Sequence, residues 1–226
     1  MTAVNWLLRP GGAAVMTDTL RHGLDGTPLG FTSKITTMPH LNMVFVVRGV
    51  SRFSLGAYVG AREKIPIGAI DGFCDAVPEW LRDIQPDIAA EVTAANSAPQ
   101  NPDAPMDVAE VLAFGWSDLR RRICGVLFSS LRDFAPQDLP DGMMFAPEIK
   151  IEPTEAERRV IAKAKSPESL IVGAKVQRRE WTESSDMKVG GELVLCELRR
   201  HGLSMRVVHR FEEDFEAFAR RQAGHD

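Results

Sequence analysis

Short apolar runs separated by turn residues fill the first fifty positions, and their spacing predicts strands. Ala3–Leu8 and Ala13–Thr17 flank Pro10-Gly11-Gly12, the composition of a tight turn. His22–Gly30 carries three glycines and a proline and predicts a loop. Ser33–Thr37 and Met43–Arg48 predict a second strand pair, interrupted at Pro39-His40. Beyond Gly49 the pattern changes: Phe53–Ala61 and Ile70–Ile84 predict helices, with Pro78 as a break or a first-turn residue. Gln85–Pro105, rich in Ala, Asn, Asp and Pro, predicts an exposed loop, and Pro136–Pro147 another. Glu110–Trp116 and Arg122–Ser129 lie between them with strand character.

The last third is more regular. Thr154–Lys165 predicts a helix opening on the capping box Thr154-x-x-Glu157, and Pro167–Trp181 a helix with proline in its first turn. Glu192–Arg199 and Leu203–Phe211 predict a hairpin around His201-Gly202, followed by an amphipathic helix over Glu212–Gln222. Strands and helices therefore come in segregated blocks and not as alternating βαβ units. Blocks of this kind predict an α+β fold, with antiparallel sheets and helices outside them.

Composition narrows the picture without deciding it. The 226 residues fit a single domain, 1–226, long enough for a substantial core. Lys+Arg 27 against Asp+Glu 31 gives a net charge of −4, too mild for a nucleic-acid or membrane-surface binder. No apolar run approaches the roughly 20 residues of a membrane span. Cys74, Cys124 and Cys196 are scattered, with no CxxC and no secretory leader, which predicts reduced thiols in a cytoplasmic protein.

The candidate chemistry starts at Thr2. Removal of Met1, which aminopeptidases carry out readily ahead of a small residue, would leave threonine as the mature N-terminus. Its Oγ would then lie beside its own α-amine, a base with a reference pKa of about 8. Asp18 follows sixteen residues after Thr2, and Lys34 sixteen after Asp18.

With Thr17-Asp18, Lys34, the Arg48-Gly49 turn after an apolar strand and Asp186-Met187-Lys188-Val189-Gly190-Gly191, the chain resembles the N-terminal-nucleophile hydrolases, specifically the proteasome β-subunit family. The resemblance spans roughly residues 2–60 and 150–211. It implies a four-layer αββα sandwich of two antiparallel sheets flanked by helices. It further implies a threonine-type peptidase or amide hydrolase needing no cofactor or metal. Thr2 would be nucleophile and base, Lys34 its electrostatic partner, and Asp18 the group that keeps Lys34 charged and in place. Asp186 would hold the α-amine. The backbone N–H of Gly49, with Arg48 as the neighbouring alternative, would serve the oxyanion.

By the same analogy Arg21, Thr32, Val46 and Val50 would flank the substrate. A peptide or protein substrate, a homo-oligomeric ring and an ATPase unfoldase would be the partners. An inert structural subunit and a small-amide hydrolase are the alternatives. Three positions depart from the family pattern: Val189 replaces a hydroxyl residue, Leu20 an arginine, and Ala146-Pro147 stands near the place of a serine.

Other motifs have plainer explanations. Ser129-Ser130 lack a surrounding G-x-S-x-G and predict a strand end. The five histidines show no metal-ligand spacing, and Gly190-Gly191 is not followed by G-K-[ST]. Arg120-Arg121-Arg122 predicts a solvated turn, with partner docking as a lesser alternative.

Overall fold

The structure, a computed structural model, describes residues 3–22, 27–49, 53, 56–60, 69–95, 109–163, 166–184 and 189–223. The chain forms two compact units, Met1–Ile35 with Asp141–Asp226, and Thr36–Pro140.

In the first unit, β1 (Val4–Arg9) and β2 (Gly12–Asp18) form the predicted hairpin. The sheet is completed by β10 (Gly142–Ala146) beside β1, β11 (Glu192–Arg199) beside β2, and β12 (Gly202–Arg210) at the edge, with neighbours antiparallel. Every position of Val4–Leu8 and Ala13–Asp18 is buried, and all but Asn5, Thr17 and Asp18 are apolar, as central strands require. Edge strand β12 is largely exposed. A two-stranded ribbon of β3 (Leu20–His22) and β4 (Pro28–Phe31) follows β2 directly.

Among the described residues of this unit are the helices α2 (Glu155–Lys163), α3 (Glu168–Ser184) and α4 (Glu212–Gln222). Leu170 and Ala174 of α3 pack with Leu7, Met16, Leu193, Leu195 and Phe211. Among these apolar groups, Asn5 donates from Nδ2 to Gln177 Oε1 at 2.9 Å, and Gln177 donates from Nε2 to the Pro147 carbonyl at 2.6 Å.

The second unit holds β5 (Ile35–Met38, whose first residue belongs to the first unit), β6 (Met43–Arg48), β7 (Glu110–Ser117), β8 (Arg122–Ser129) and β9 (Gln137–Asp138), paired in that order. Helix α1 (Ala69–Ala95) buries Phe73, Val77, Trp80 and Leu81 with Phe45 and Phe128 of this sheet.

Four expectations change. Pro78 neither breaks nor starts a helix, since α1 runs through both Pro78 and Pro86. A proline inside a helix costs about 3 kcal/mol, and burial of four large side chains around Pro78 offsets that cost. Residues 85–95 are likewise helix and not loop; the remainder of Gln85–Pro105 lies outside the described residues. His22–Gly30 supplies strand residues at both ends. Pro136–Pro147 contains β9 and β10, because β1 offers Gly142–Ala146 a row of backbone partners that local composition does not reveal.

The capping box forms as expected. Thr154 N–H donates to Glu157 Oε2 at 2.7 Å and Glu157 N–H to Thr154 Oγ1 at 3.3 Å. Arg179 of α3 adds two bonds to the same carboxylate, at 2.9 and 3.1 Å. Those Arg179 bonds, with the Thr154 amide assisting, hold Glu157 well below the ordinary carboxylate value of 4.5, at about 2. A lowered folded-state value means stabilisation that is complete above the ordinary value and disappears as pH falls toward 2. Arg179 is 41% exposed, so solvent screening limits the effect. Glu157→Gln is therefore expected to cost roughly 1 kcal/mol at pH 6, the size of a helix cap. The gap to wild type in urea midpoint should shrink by pH 3; a gap that stays constant would contradict this assignment.

Candidate active site

Asp18 closes β2, and its carboxylate is fully buried. Lys34, just ahead of β5, donates from Nζ to Asp18 Oδ1 at 2.7 Å, with only 10% of its own side chain exposed. The Ala3 N–H donates to the same oxygen at 3.3 Å, and the Gly190 N–H to Oδ2 at 3.3 Å. A carboxylate without water must have such partners, because an unpaired buried charge costs several kcal/mol. An ammonium and two peptide donors meet that need. The sequence separation of sixteen residues thus becomes a contact: β2 ends on Asp18, and the β3–β4 ribbon returns the chain to Lys34.

Ala3 is itself buried and packs against Val189. A hydroxyl at 189 would need a partner here, whereas valine contributes apolar contact with the residue that follows Thr2. Leu20 is also buried, so the position lacking arginine serves as packing.

Gly190 and Gly191 lock this corner. Thr19 and Leu20 donate their N–H groups to the Gly190 carbonyl at 3.3 and 3.1 Å, and Glu192 N–H donates to Thr19 Oγ1 at 2.8 Å. A Cβ at 190 would collide with Asp214 Oδ2, and one at 191 would lie 2.5 Å from Thr19 Oγ1. Gly191 also has φ of +74°, which L side chains avoid. Behind the glycines stands an ion pair between Arg178 of α3 and Asp214 of α4. Neither residue is singled out by the sequence reading: Arg178 is one of several basic residues on a helix, and Asp214 one of three acids in a first helical turn. Only their meeting distinguishes them.

The other expected site residues divide. Thr2, Asp186 and Val50 lie outside the described residues. Gly49 follows β6 in the second unit with φ of +135°, a region where glycine is favoured. Just before it, Arg48 lies opposite Glu110 of β7 and is ion-paired to it, which fixes the end of β6. Arg21 and Thr32 are exposed, and the Thr32 N–H donates to the Thr19 carbonyl at 2.8 Å. Val46 is wholly buried in β6.

Rival chemistries find little support among the described residues. Burial pushes the Cys74 thiol up to about 12 and Cys196 to about 11, and raises Cys124 as well, so none is a thiolate near neutrality. Ser129 Oγ accepts from Leu131 N–H and Ser130 Oγ from Ala109 N–H, the work of a strand end. No group of three or more His, Cys, Asp or Glu among the described residues is arranged to hold a metal ion. Arg120 and Arg121 lie in the turn before β8, with Arg120 paired to Asp138.

No protein-family model matches the sequence, and no curated protein sequence matches it either. A solved structure does: Anbu (ancestral beta-subunit) from Yersinia bercovieri superposes with a TM-score of 0.56, covering 99% of this chain and 93% of that one. The fold is proteasome β-subunit-like. It is an α+β sandwich, as the block order of strands and helices predicts. At 7% identity the likeness carries the fold alone, and the chemistry rests on this chain's own residues. Among the described residues no helix is long and apolar enough to cross a membrane.

Proposed function

We propose that the protein is a threonine-type peptidase or amide hydrolase in which Thr2, freed by removal of Met1, is both nucleophile and base. The observation that supports this best is the buried Asp18–Lys34 pair, whose shared carboxylate oxygen also accepts the Ala3 N–H. Ala3 follows Thr2 directly, so the peptide leading out of Thr2 is anchored on the same carboxylate as the lysine. A cation held there disfavours protonation of nearby groups and steadies developing negative charge.

In this mechanism the α-amine takes the hydroxyl proton as Oγ bonds to the substrate carbonyl carbon. The amide C–N bond then breaks, with the proton passing to the leaving amine. Water, deprotonated by the same amine, cleaves the resulting ester and regenerates Thr2. The Gly49 N–H, or that of Arg48, would serve the oxyanion, and Asp186 would hold the amine. Arg21, Thr32 and Val50 would flank the substrate, of which Arg21 and Thr32 are exposed; Val46, wholly buried, would not touch it. Peptide or protein substrates, a homo-oligomeric ring, a cytoplasmic setting and an ATPase unfoldase complete the proposal by analogy with the fold.

Two measurements test it together. Intact mass should show loss of Met1. An epoxyketone probe, whose ring closure needs both Oγ and a free amine, should label the wild type and leave Thr2→Ala unlabelled. A chain that keeps Met1 and ignores the probe would instead be an inert structural subunit.

A further inference from the structure

The Arg178–Asp214 pair stands one dipeptide away from Asp18, and no step of the chemistry above uses it. Arg178 donates from Nη1 to Asp214 Oδ2 at 2.7 Å and to the Val189 carbonyl at 2.9 Å, and from Nη2 to Asp214 Oδ1 at 2.9 Å. Asp214 Oδ2 also accepts the Gly191 N–H at 2.6 Å, and the Phe211 N–H donates to the Gly191 carbonyl at 2.8 Å. The guanidinium lies 4.1 Å over the Phe211 ring. Burial works against the charge on Arg178, but its bonds to Asp214 and Glu213 outweigh that and hold its pKa above the ordinary value. Arg178 and Asp214 are only 20% and 17% exposed, so water competes weakly for these bonds.

The backbone of residues 189–191 is therefore held from one side by the ion pair. On its other side the Gly190 N–H meets Asp18 Oδ2. Hydrogen bonds weaken steeply with angle, so a small rotation of that peptide would release the carboxylate.

The geometry points to Arg178 and Asp214 as positioning residues, a latch that aims the Gly190 N–H at Asp18 and so fixes the Asp18–Lys34 pair for Thr2. The catalytic half of this inference rests on the Thr2 reading; the anchoring of Asp18 does not.

The test uses the full chain with Asp214→Asn, Arg178→Lys and Asp18→Asn, read by epoxyketone labelling rate and by amide exchange at Gly190 and Ala3. Asp214→Asn should label about tenfold more slowly, a modest share of what misplacing a catalytic group can cost. Exchange at Gly190 and Ala3 should quicken in the same variant. Arg178→Lys keeps the charge but cannot grip Val189 and both Asp214 oxygens together, so it should show the same changes, which covers the case of an unfolded Asp214→Asn. Glu155→Gln, in an exposed ion pair with Arg159 on α2, should behave as wild type.

The decisive readout is coupling. In the Asp18→Asn background, Asp214→Asn should slow labelling by less than about twofold, because its route through Asp18 is already cut. Additive losses, or unchanged exchange at Gly190, overturn the latch. A wild type that never labels removes the Thr2 reading and the catalytic half with it. The exchange measurement then decides separately whether the latch holds Asp18.

Discussion

Lys34→Ala is expected to slow hydrolysis and probe labelling on the order of a thousandfold, the upper range for loss of one electrostatic group at a reacting centre. It should also reduce stability, because among the described residues Asp18 stays fully buried with the Ala3 and Gly190 amides as its remaining partners. Removing one member of a buried pair typically costs about 3–5 kcal/mol. Domains of this size have roughly 5–15 kcal/mol in all, so the variant should remain folded with a clearly lower urea midpoint. The double variant Lys34→Ala/Asp18→Asn separates the two effects. Neutralising the stranded carboxylate should restore most of the stability and none of the activity. Recovery of activity in the double variant, or near-normal turnover in Lys34→Ala, would show that the lysine charge plays no part in the reaction.

Gly191→Ala should be the most damaging single methyl in this corner, at about 2–5 kcal/mol. Its φ of +74° costs a residue with a Cβ roughly 1–2 kcal/mol. The new methyl would also lie 2.5 Å from Thr19 Oγ1 and 2.7 Å from the Phe31 ring. Thr19 cannot turn away freely, since its hydroxyl accepts the Glu192 N–H at the start of β11. Overpacking of this kind adds about 1–3 kcal/mol. Because Thr19 follows Asp18, labelling should fall along with the denaturation midpoint. An unchanged midpoint would mean that this turn relaxes without strain.

Elements governed by near neighbours could be read from the chain alone. β6, β8, β11 and α4 fall on the predicted residues, because each is bounded by turn signals and carries its own periodicity. The capping box is equally local. Elements whose stability comes from distant partners could not be read. β10 is a methionine-rich run between prolines until β1 pairs with it, and α1 continues through Pro78 only because the sheet of its own unit covers its apolar face. The site divides the same way. Asp18 and Lys34 are found by type and interval, whereas Arg178 and Asp214 lack any local mark.

Sequence by itself determined the block order of an α+β chain and the types and intervals of Thr2, Asp18 and Lys34, the group proposed here to be catalytic. Those are properties of composition and interval, which do not depend on where the chain travels. The tertiary structure alone decided that the Asp18 carboxylate is dry and shared among Lys34, Ala3 and Gly190, and that an ion pair from two later helices grips the glycines. Burial and long-range hydrogen bonding are set by which segments meet in space, and that information exists only once the sheets have formed.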